Sequence, residues 1–243
     1  MNLIIDVGNT FAKLAVFKNT ELQFKTSVKN TTVLKEVEGI MQKEPSVKQA
    51  IVSSVGKLNM ADVQQIAKHL KVLVLNAKTN LPFTNLYQTP STLGVDRVAL
   101  VSAAVNQFPR KNVLVIDAGT CITYDFVNAQ HEYLGGAISP GLRMRYKSLN
   151  NLTAKLPLLD TKMPEGIIGN STETSIHSGV VNGILNEING IIDNYKYKYP
   201  DLTVILTGGD TNFLSKQLKS SIFANPNFLL EGLNYILQFN TNE

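Results

Sequence analysis

The sequence predicts an α/β protein built from two related halves, and three observations predict it. Two apolar, β-rich runs, residues 2–7 and 112–116, each lead into an acid, a glycine and a hydroxyl: Asp6-Val7-Gly8-Asn9-Thr10 and Asp117-Ala118-Gly119-Thr120. Each turn is followed by a returning apolar run, residues 12–17 and 122–127. The segments between carry apolar residues at helical spacing. One strand–turn–strand pattern used twice implies two α/β halves facing each other across a cleft, each presenting an Asp and a Gly-rich turn.

The elements follow in order. Gly8-Asn9 is a turn signal, so residues 2–17 read as a hairpin. Residues 33–43 read as a helix with apolar positions 33, 34, 37, 40 and 41, residues 49–55 as a strand, and residues 60–70 as a helix with Met60, Val63, Ile66, Ala67 and Leu70 on one face. Residues 72–75 suit a third strand. The stretch 76–93 has little periodicity and reads as a loop that carries function or crosses between domains. A helix is expected over 95–107, the second hairpin over 112–127, and a strand over 133–138 that stops at Ser139-Pro140-Gly141. A helix over 142–154 and a long one over 175–199 come next, the latter striped by Ile176, Val180, Ile184, Ile188 and Ile191. Residues 202–206 form a strand closed by Thr207-Gly208-Gly209-Asp210, and residues 227–239 a last helix. A domain boundary near residue 93 divides the chain into 1–93 and 94–243.

Composition narrows the functions. The net charge is +4, but the lysines are spread along the chain. Their densest run, Tyr195-Lys196-Tyr197-Lys198-Tyr199, reads as the solvated end of a helix, so no nucleic-acid partner is expected. No apolar stretch approaches the ~20 residues that span a bilayer, and no signal peptide is visible, so neither a membrane nor a secreted life is expected. Cys121 is the sole cysteine among 243 residues, which excludes an internal disulfide and fits a reducing cytoplasm. The three histidines lie far apart in sequence, which makes a His-based metal site an unpromising reading.

An acid at a strand end followed by a glycine sets a carboxylate beside backbone N–H groups. Such a turn can hold phosphate on its N–H groups and a hydrated Mg²⁺ on its carboxylate. Lys13 adds a cation within reach of the same phosphates. The same residues also make a plain hairpin turn, so each motif alone leaves both readings open. Paired glycines at 208–209 let a backbone approach a flat ligand closely, or simply turn a strand into a helix capped at Asp210. Asp96 near a helix start is either a charge placed favourably against the helix dipole or a general base, with Arg97 beside it to bind an anionic substrate.

Taken together, the turns at Asp6–Thr10, Asp117–Thr120 and Gly208–Gly209 resemble the two phosphate elements and the adenosine element of the acetate and sugar kinase, heat-shock chaperone and actin superfamily. Within it the chain resembles type III pantothenate kinases. The stretches that carry the resemblance are residues 6–10, Tyr87-Gln88-Thr89-Pro90-Ser91-Thr92-Leu93-Gly94-Val95-Asp96-Arg97, residues 117–120, Gly135-Gly136-Ala137-Ile138-Ser139-Pro140-Gly141-Leu142, Thr153-Ala154-Lys155-Leu156-Pro157 and residues 172–179. The resemblance implies two actin-like (ribonuclease H-like) domains with a central cleft, and ATP-dependent phosphorylation of the primary hydroxyl of pantothenate to 4′-phosphopantothenate, the first step toward coenzyme A. It implies that Asp6, Val7, Gly8, Asn9, Thr10, Phe11, Ala12 and Lys13 hold ATP phosphates and that Thr120 contacts ATP. Asp96 would be the general base. Tyr87, Gly94, Val95, Asp96, Arg97 and Thr172 would line the pantothenate site, and Asp117 would bind a monovalent cation, K⁺ or NH₄⁺, alongside Mg²⁺. It also implies a cytoplasmic homodimer with Thr172 near the two-fold interface. Phe11-Ala12-Lys13 departs from the small or aliphatic residues common in the family, which leaves the part of Lys13 open, and Cys121 stands where many members carry Ala. Two alternatives share the fold: a non-catalytic regulatory accessory protein, and another small-molecule kinase of the superfamily. The latter would lack the Tyr87–Arg97 block.

Overall fold

The computed structural model describes residues 1–54 and 59–241, which form two compact units. The first comprises Met1–Pro109, His131–Tyr133 and the chain from Asn227. Its central strand β1 (Asn2–Val7) is buried along all six residues, as a strand flanked on both sides and covered on both faces must be. The chain turns at Gly8 into β2 (Phe11–Lys18), which pairs antiparallel with β1, and again into β3 (Glu21–Lys29). Helix α1 (Val33–Lys43) leads to β4 (Gln49–Ser54), parallel to β1, and α2 (Met60–Ala67) leads to β5 (Lys71–Val74), parallel to β4. The sheet order is β3-β2-β1-β4-β5. Residue 55, the last of the predicted strand 49–55, lies outside the described residues. A short strand β6 (Thr84–Asn85) inside the predicted loop pairs in parallel with Glu132–Tyr133, and α3 (Val95–Gln107) follows.

In the second unit, β7 (Val113–Ala118) and β8 (Cys121–Val127) form an antiparallel pair, and β9 (Glu132–Pro140, in this unit from Leu134) lies beside β8. Helix α4 (Leu142–Asn151) precedes a long coil, then α5 (Thr172–His177), a π-helical turn (Ser178–Asn182) and α6 (Gly183–Lys198). Strand β10 (Thr203–Thr207) pairs in parallel with β7, α7 (Thr211–Leu214) follows, and β11 (Phe223–Ala224) pairs in parallel with β10. Read outward from β9, the order is β9-β8-β7-β10-β11. That is the order of the first sheet, and β8, β7, β10 and β11 pair in the same senses as β2, β1, β4 and β5, so the duplication seen in the two turns extends into the sheets.

The chain then returns to the first unit as α8 (Phe228–Phe239). Leu230, Leu233, Ile236 and Leu237 are buried there, and Gly232 lies so close to α3 that any side chain would strike the Ala99 carbonyl. The residues of α3 from Arg97 to Val105 are buried as well. The boundary expected near residue 93 therefore falls inside the first unit, because a helix apolar on most of its circumference needs cover on more than one side.

Besides β6, several elements differ from their sequence-based outlines. β3 is a strand that no apolar run announces. α2 stops at Ala67 and α4 at Asn151, each three residues before the expected end, and Leu152 is left exposed. The long helix starts at Thr172 rather than Ser175, and its π turn buries Val180 and Val181 together. Beyond it the buried line passes through Ile184, Ile188 and Ile192, while Ile191 is only partly covered. Among the described residues no helix is long and apolar enough to cross a membrane.

Candidate functional site

In the first unit, Asp6 is the fifth residue of β1, opposite Lys13 on β2 and Ser53 on β4. Its carboxyl is buried and its pKa is raised from 3.8 to about 6. Burial is the main cause. The Lys13 charge pulls the value down, the nearby Asp96 charge pushes it up, and the Ser53 hydroxyl pulls it down. The turn beside Asp6 is locked by Gly8 N–H donating to Phe11 O (3.0 Å) and by Asn30, whose Nδ2 donates to Gly8 O (2.9 Å) and whose N–H donates to Thr10 O (3.3 Å). These bonds use neither the Asn9 nor the Thr10 N–H, and both residues are exposed. A locked turn with free-standing amides, a carboxylate and a lysine suits a phosphate group.

Asp96 belongs to this same unit. Gly94 precedes α3 without a side-chain cap, and Asp96 Oδ1 instead accepts the Arg97 N–H (2.8 Å). A side chain at Gly94 would run into the Asp96 carboxylate, so glycine there is what lets the acid fold back over the helix start. Arg97 is buried, and its guanidinium lies 5.6 Å from the centre of the Tyr87 ring. Tyr87 stacks on Tyr133 (6.0 Å), which meets Phe83 edge-on (6.0 Å). The β6 pairing brings Tyr133 into this ladder, which backs the Tyr87 ring that the guanidinium faces. Asp6, Lys13, Tyr87, Gly94, Val95, Asp96 and Arg97 thus lie in one unit, with the Asp96 charge close enough to act on Asp6.

In the second unit, Asp117 occupies the place that Asp6 has in the first. Its neighbours across the strands are Thr123 and Thr207. Three glycine-bearing turns meet around it. Gly141 N–H donates to Thr120 O (3.1 Å), Gly119 N–H to Cys121 O (2.9 Å) and Asp210 N–H to Ala118 O (2.9 Å). Gly208 has φ +96°, and any side chain on it would collide with the Ala118 carbonyl and the Asp117 carboxylate. Asp117 and Thr120 therefore share one oxygen-rich corner with the Ser139–Gly141 and Thr207–Asp210 turns. Thr172 lies apart from that corner, at the first position of α5, where a Ser171 capping box fixes the helix start. It lines a groove of about 840 Å³ with Arg145, Ser148 and Leu149 of α4 and Ser175 and Ile176 of the same helix.

Sequence reasoning missed Asn30, which no spacing marks, and it missed a polar hub on α6. Glu187 Oε1 accepts from Tyr124 (3.0 Å) and Ser139 (2.5 Å), and its Oε2 accepts from Arg145 (2.5 Å), whose Nε reaches Pro140 O (2.9 Å). Burial pushes the Glu187 carboxyl up, but these donors and the Arg145 charge outweigh it and hold the carboxyl below its usual range. The hub anchors the turn that closes on Thr120. Among the described residues no group of three or more His, Cys, Asp or Glu side chains could hold a metal ion by itself.

Comparison with known proteins bears on what such an arrangement does. A family model described as type III pantothenate kinase matches residues 2–194. The type III pantothenate kinase of Christiangramia forsetii is 53% identical over 243 residues, covering 100% of both chains. That of Flavobacterium psychrophilum is 49% identical over 239 residues, covering 98% of this chain and 99% of its own. Among solved structures, a Campylobacter jejuni protein assigned to the Baf family of transcriptional activators superposes with a TM-score of 0.66 at 20% identity over 99% of this chain and 100% of that one. A glucokinase from an Antarctic psychrotroph does so with 0.55 at 14% identity over 98% of each. At these identities the two structures establish the fold alone, and it is the actin-like α/β fold of sugar kinases.

Proposed function

The chain belongs to the type III pantothenate kinase family, and from that premise we propose that it transfers the γ-phosphoryl group of ATP to the primary hydroxyl of pantothenate with Asp96 as general base. The observation that carries this reading is the start of α3. There the Asp96 carboxylate folds back onto the first turn of the helix, and the next residue, Arg97, is buried with its guanidinium 5.6 Å from the centre of the Tyr87 ring. A pantothenate molecule offers the matching pair, a primary hydroxyl for Asp96 and a carboxylate for Arg97. Asp96 takes the hydroxyl proton as the new O–P bond forms, and the bond from the γ-phosphorus to the bridging oxygen breaks with its electrons leaving on ADP. Gly94 and Val95 line the approach to that hydroxyl.

In the same unit, Asp6, the amides of the 7–11 turn, Ala12 and Lys13 are assigned to the ATP phosphates, and in the second unit Thr120 is assigned to ATP. The donor sets fit the ions the family implies. Mg²⁺ is commonly held by one or two carboxylates with phosphates and water completing its shell, and Asp6 supplies one such carboxylate. At Asp117 the neighbouring threonine hydroxyls and turn carbonyls are oxygen ligands of the kind a larger cation such as K⁺ or NH₄⁺ takes. When bound, these ions neutralise charge on the phosphates. The reaction belongs to the cytoplasm, where Cys121 stays reduced. The working form is a homodimer. Supporting this, three large apolar side chains that a lone chain leaves to solvent, Leu152 just after α4 and Ile167 and Ile168 just before α5, are 83%, 78% and 87% exposed.

The test is Asp96→Asn. It keeps the shape and should lower pantothenate-dependent ADP release about a hundredfold or more with ATP binding retained. Turnover near the parental rate would remove Asp96 from the role. Mixing Asp96→Asn with Thr172→Val chains by co-refolding should restore part of the activity if Thr172 acts across a dimer. An active monomer in sedimentation would rule the dimer out.

A further inference from the structure

Thr172 sits on one wall of its groove and Arg145 on the other, and the two walls are bolted together from behind. Tyr146, next to Arg145 on α4, and His177, at the end of α5, are both buried. The Tyr146 hydroxyl and His177 Nδ1 are 2.8 Å apart, and the rings meet edge-on at 5.6 Å. The Lys162 backbone N–H also reaches the phenol oxygen. His177 Nε2 lies 3.6 Å from Glu173 Oε1 on its own helix. Lys162, Tyr146, His177 and Glu173 thus form one polar chain behind the groove. Immediately after His177 the helix passes into its π turn, so this bond is made where the helix is least regular.

We propose that the Tyr146–His177 hydrogen bond is a positioning clamp for Thr172, fixing the groove width for the pantothenate end that Thr172 reaches. The proposal rests on the reading of Thr172 as a substrate contact. Tyr146 comes from α4, and His177 lies on the same helix as Thr172, so this one bond ties together the two walls of the groove.

The experiment is steady-state kinetics of the full-length enzyme at one fixed pH of about 8. Tyr146→Phe keeps the ring and removes the bond. It should raise the pantothenate KM about tenfold and leave kcat and the ATP KM within about a factor of two. In His177→Asn the amide oxygen stands near the place of Nδ1 and can accept from the phenol, so it should keep most of the affinity that His177→Leu loses. Thr172→Val is run alongside. If Thr172→Val raises the pantothenate KM and Tyr146→Phe does not, the clamp is wrong and the Thr172 reading survives. If Thr172→Val leaves that KM alone, the Thr172 reading fails and the clamp falls with it. Equal losses in kcat and in both KM values would mean ordinary packing and overturn the proposal. Should Tyr146→Phe not fold, a pantothenate KM that is the same in His177→Leu as in His177→Asn is enough to sink it.

Discussion

The Asp6 and Asp117 turns occupy the same place in two sheets of the same order, yet the fold has dressed them differently. Each acid is the next-to-last residue of a central strand, with an antiparallel neighbour on one side and a parallel neighbour on the other. Around Asp6 those neighbours are Lys13 and Ser53, and a second acid, Asp96, is close by. Around Asp117 they are Thr123 and Thr207, with Gly208 pressed against the carboxylate. The first site mixes charges of both signs and suits a phosphate with its metal. The second offers one negative charge among neutral oxygens and suits a single cation. One backbone pattern is thus dressed to suit two different ions, and the residues opposite the acid make the difference.

The sharpest way to break this comparison is Asp6→Asn. Activity should fall about a thousandfold, the upper end for losing one preorganised electrostatic contact. Stability should move the other way. The folded-state pKa is raised from 3.8 to about 6, so the acid favours the folded state below about pH 4, and that contribution is lost as pH rises through 6. At pH 8 the buried charge costs at most about 3 kcal/mol, and about half of that at pH 5. Asp6→Asn should therefore melt several degrees higher than the parent at pH 8, with the gain shrinking toward pH 5. Thermal melts across that range check the sign, and a variant less stable at pH 8 would contradict it. The same change at Asp117, which is not enclosed in this way, should bring no comparable gain.

How much of this was legible depends on whether a feature is local. The two turns, the helix start at Gly94–Arg97 and the later Gly-Gly turn are short patterns, and each is found where the sequence puts it. The surroundings that give the turns their different characters are not local. Lys13 is near Asp6 in sequence, but Ser53 reaches it through a parallel crossover, and Thr207 reaches Asp117 in the same way. Tyr133 joins Tyr87 through a two-residue strand inside what reads as loop. The Glu187 hub collects partners from three other elements. β3 went unseen because an edge strand with mostly exposed residues has no apolar run to betray it. Ile192 rather than Ile191 completes the buried line through Ile184 and Ile188, a choice made by what packs against the helix and not by its own spacing. The return of α8 to the first unit is set by the groove that α3 leaves at Ala99 and Gly232.

A second, smaller effect sharpens the other side of the comparison. If the Asp117 corner is a cation site, activity should depend on K⁺ or NH₄⁺ and be poor in Na⁺, because the smaller ion fits an oxygen cage of that size badly. Asp117→Ala should erase the response and lower the rate in K⁺ by roughly tenfold to a hundredfold. Assays in matched K⁺ and Na⁺ buffers decide it, and equal rates in both for the parent would count against a site there. Asp6→Asn, by contrast, should leave whatever activity remains as sensitive to K⁺ as before.

The smallest expected effect isolates the residue that makes the two turns unlike, Lys13. Burial drives the Asp6 pKa up and the Lys13 charge restrains it. Lys13→Met removes the restraint, so the Asp6 pKa must move further above 6, and a larger share of the enzyme carries a neutral, inactive Asp6 at any pH near it. The acid limb of the rate profile should then shift to higher pH. At about pH 8, where most Asp6 is still ionised, the loss should be only a few-fold to tenfold, the scale of one exposed charge contact to phosphate. Near pH 6 it should be clearly larger. Lys13→Arg keeps the charge and should hold the limb where the parent has it, which separates charge from side-chain shape. The matching change in the second turn, Thr123→Val, removes no charge and should not move the limb at all. If Lys13→Met lowers the rate by the same factor at both pH values, Lys13 touches phosphate but does not govern Asp6. The difference between the two turns would then lie in burial rather than in the residue opposite the acid.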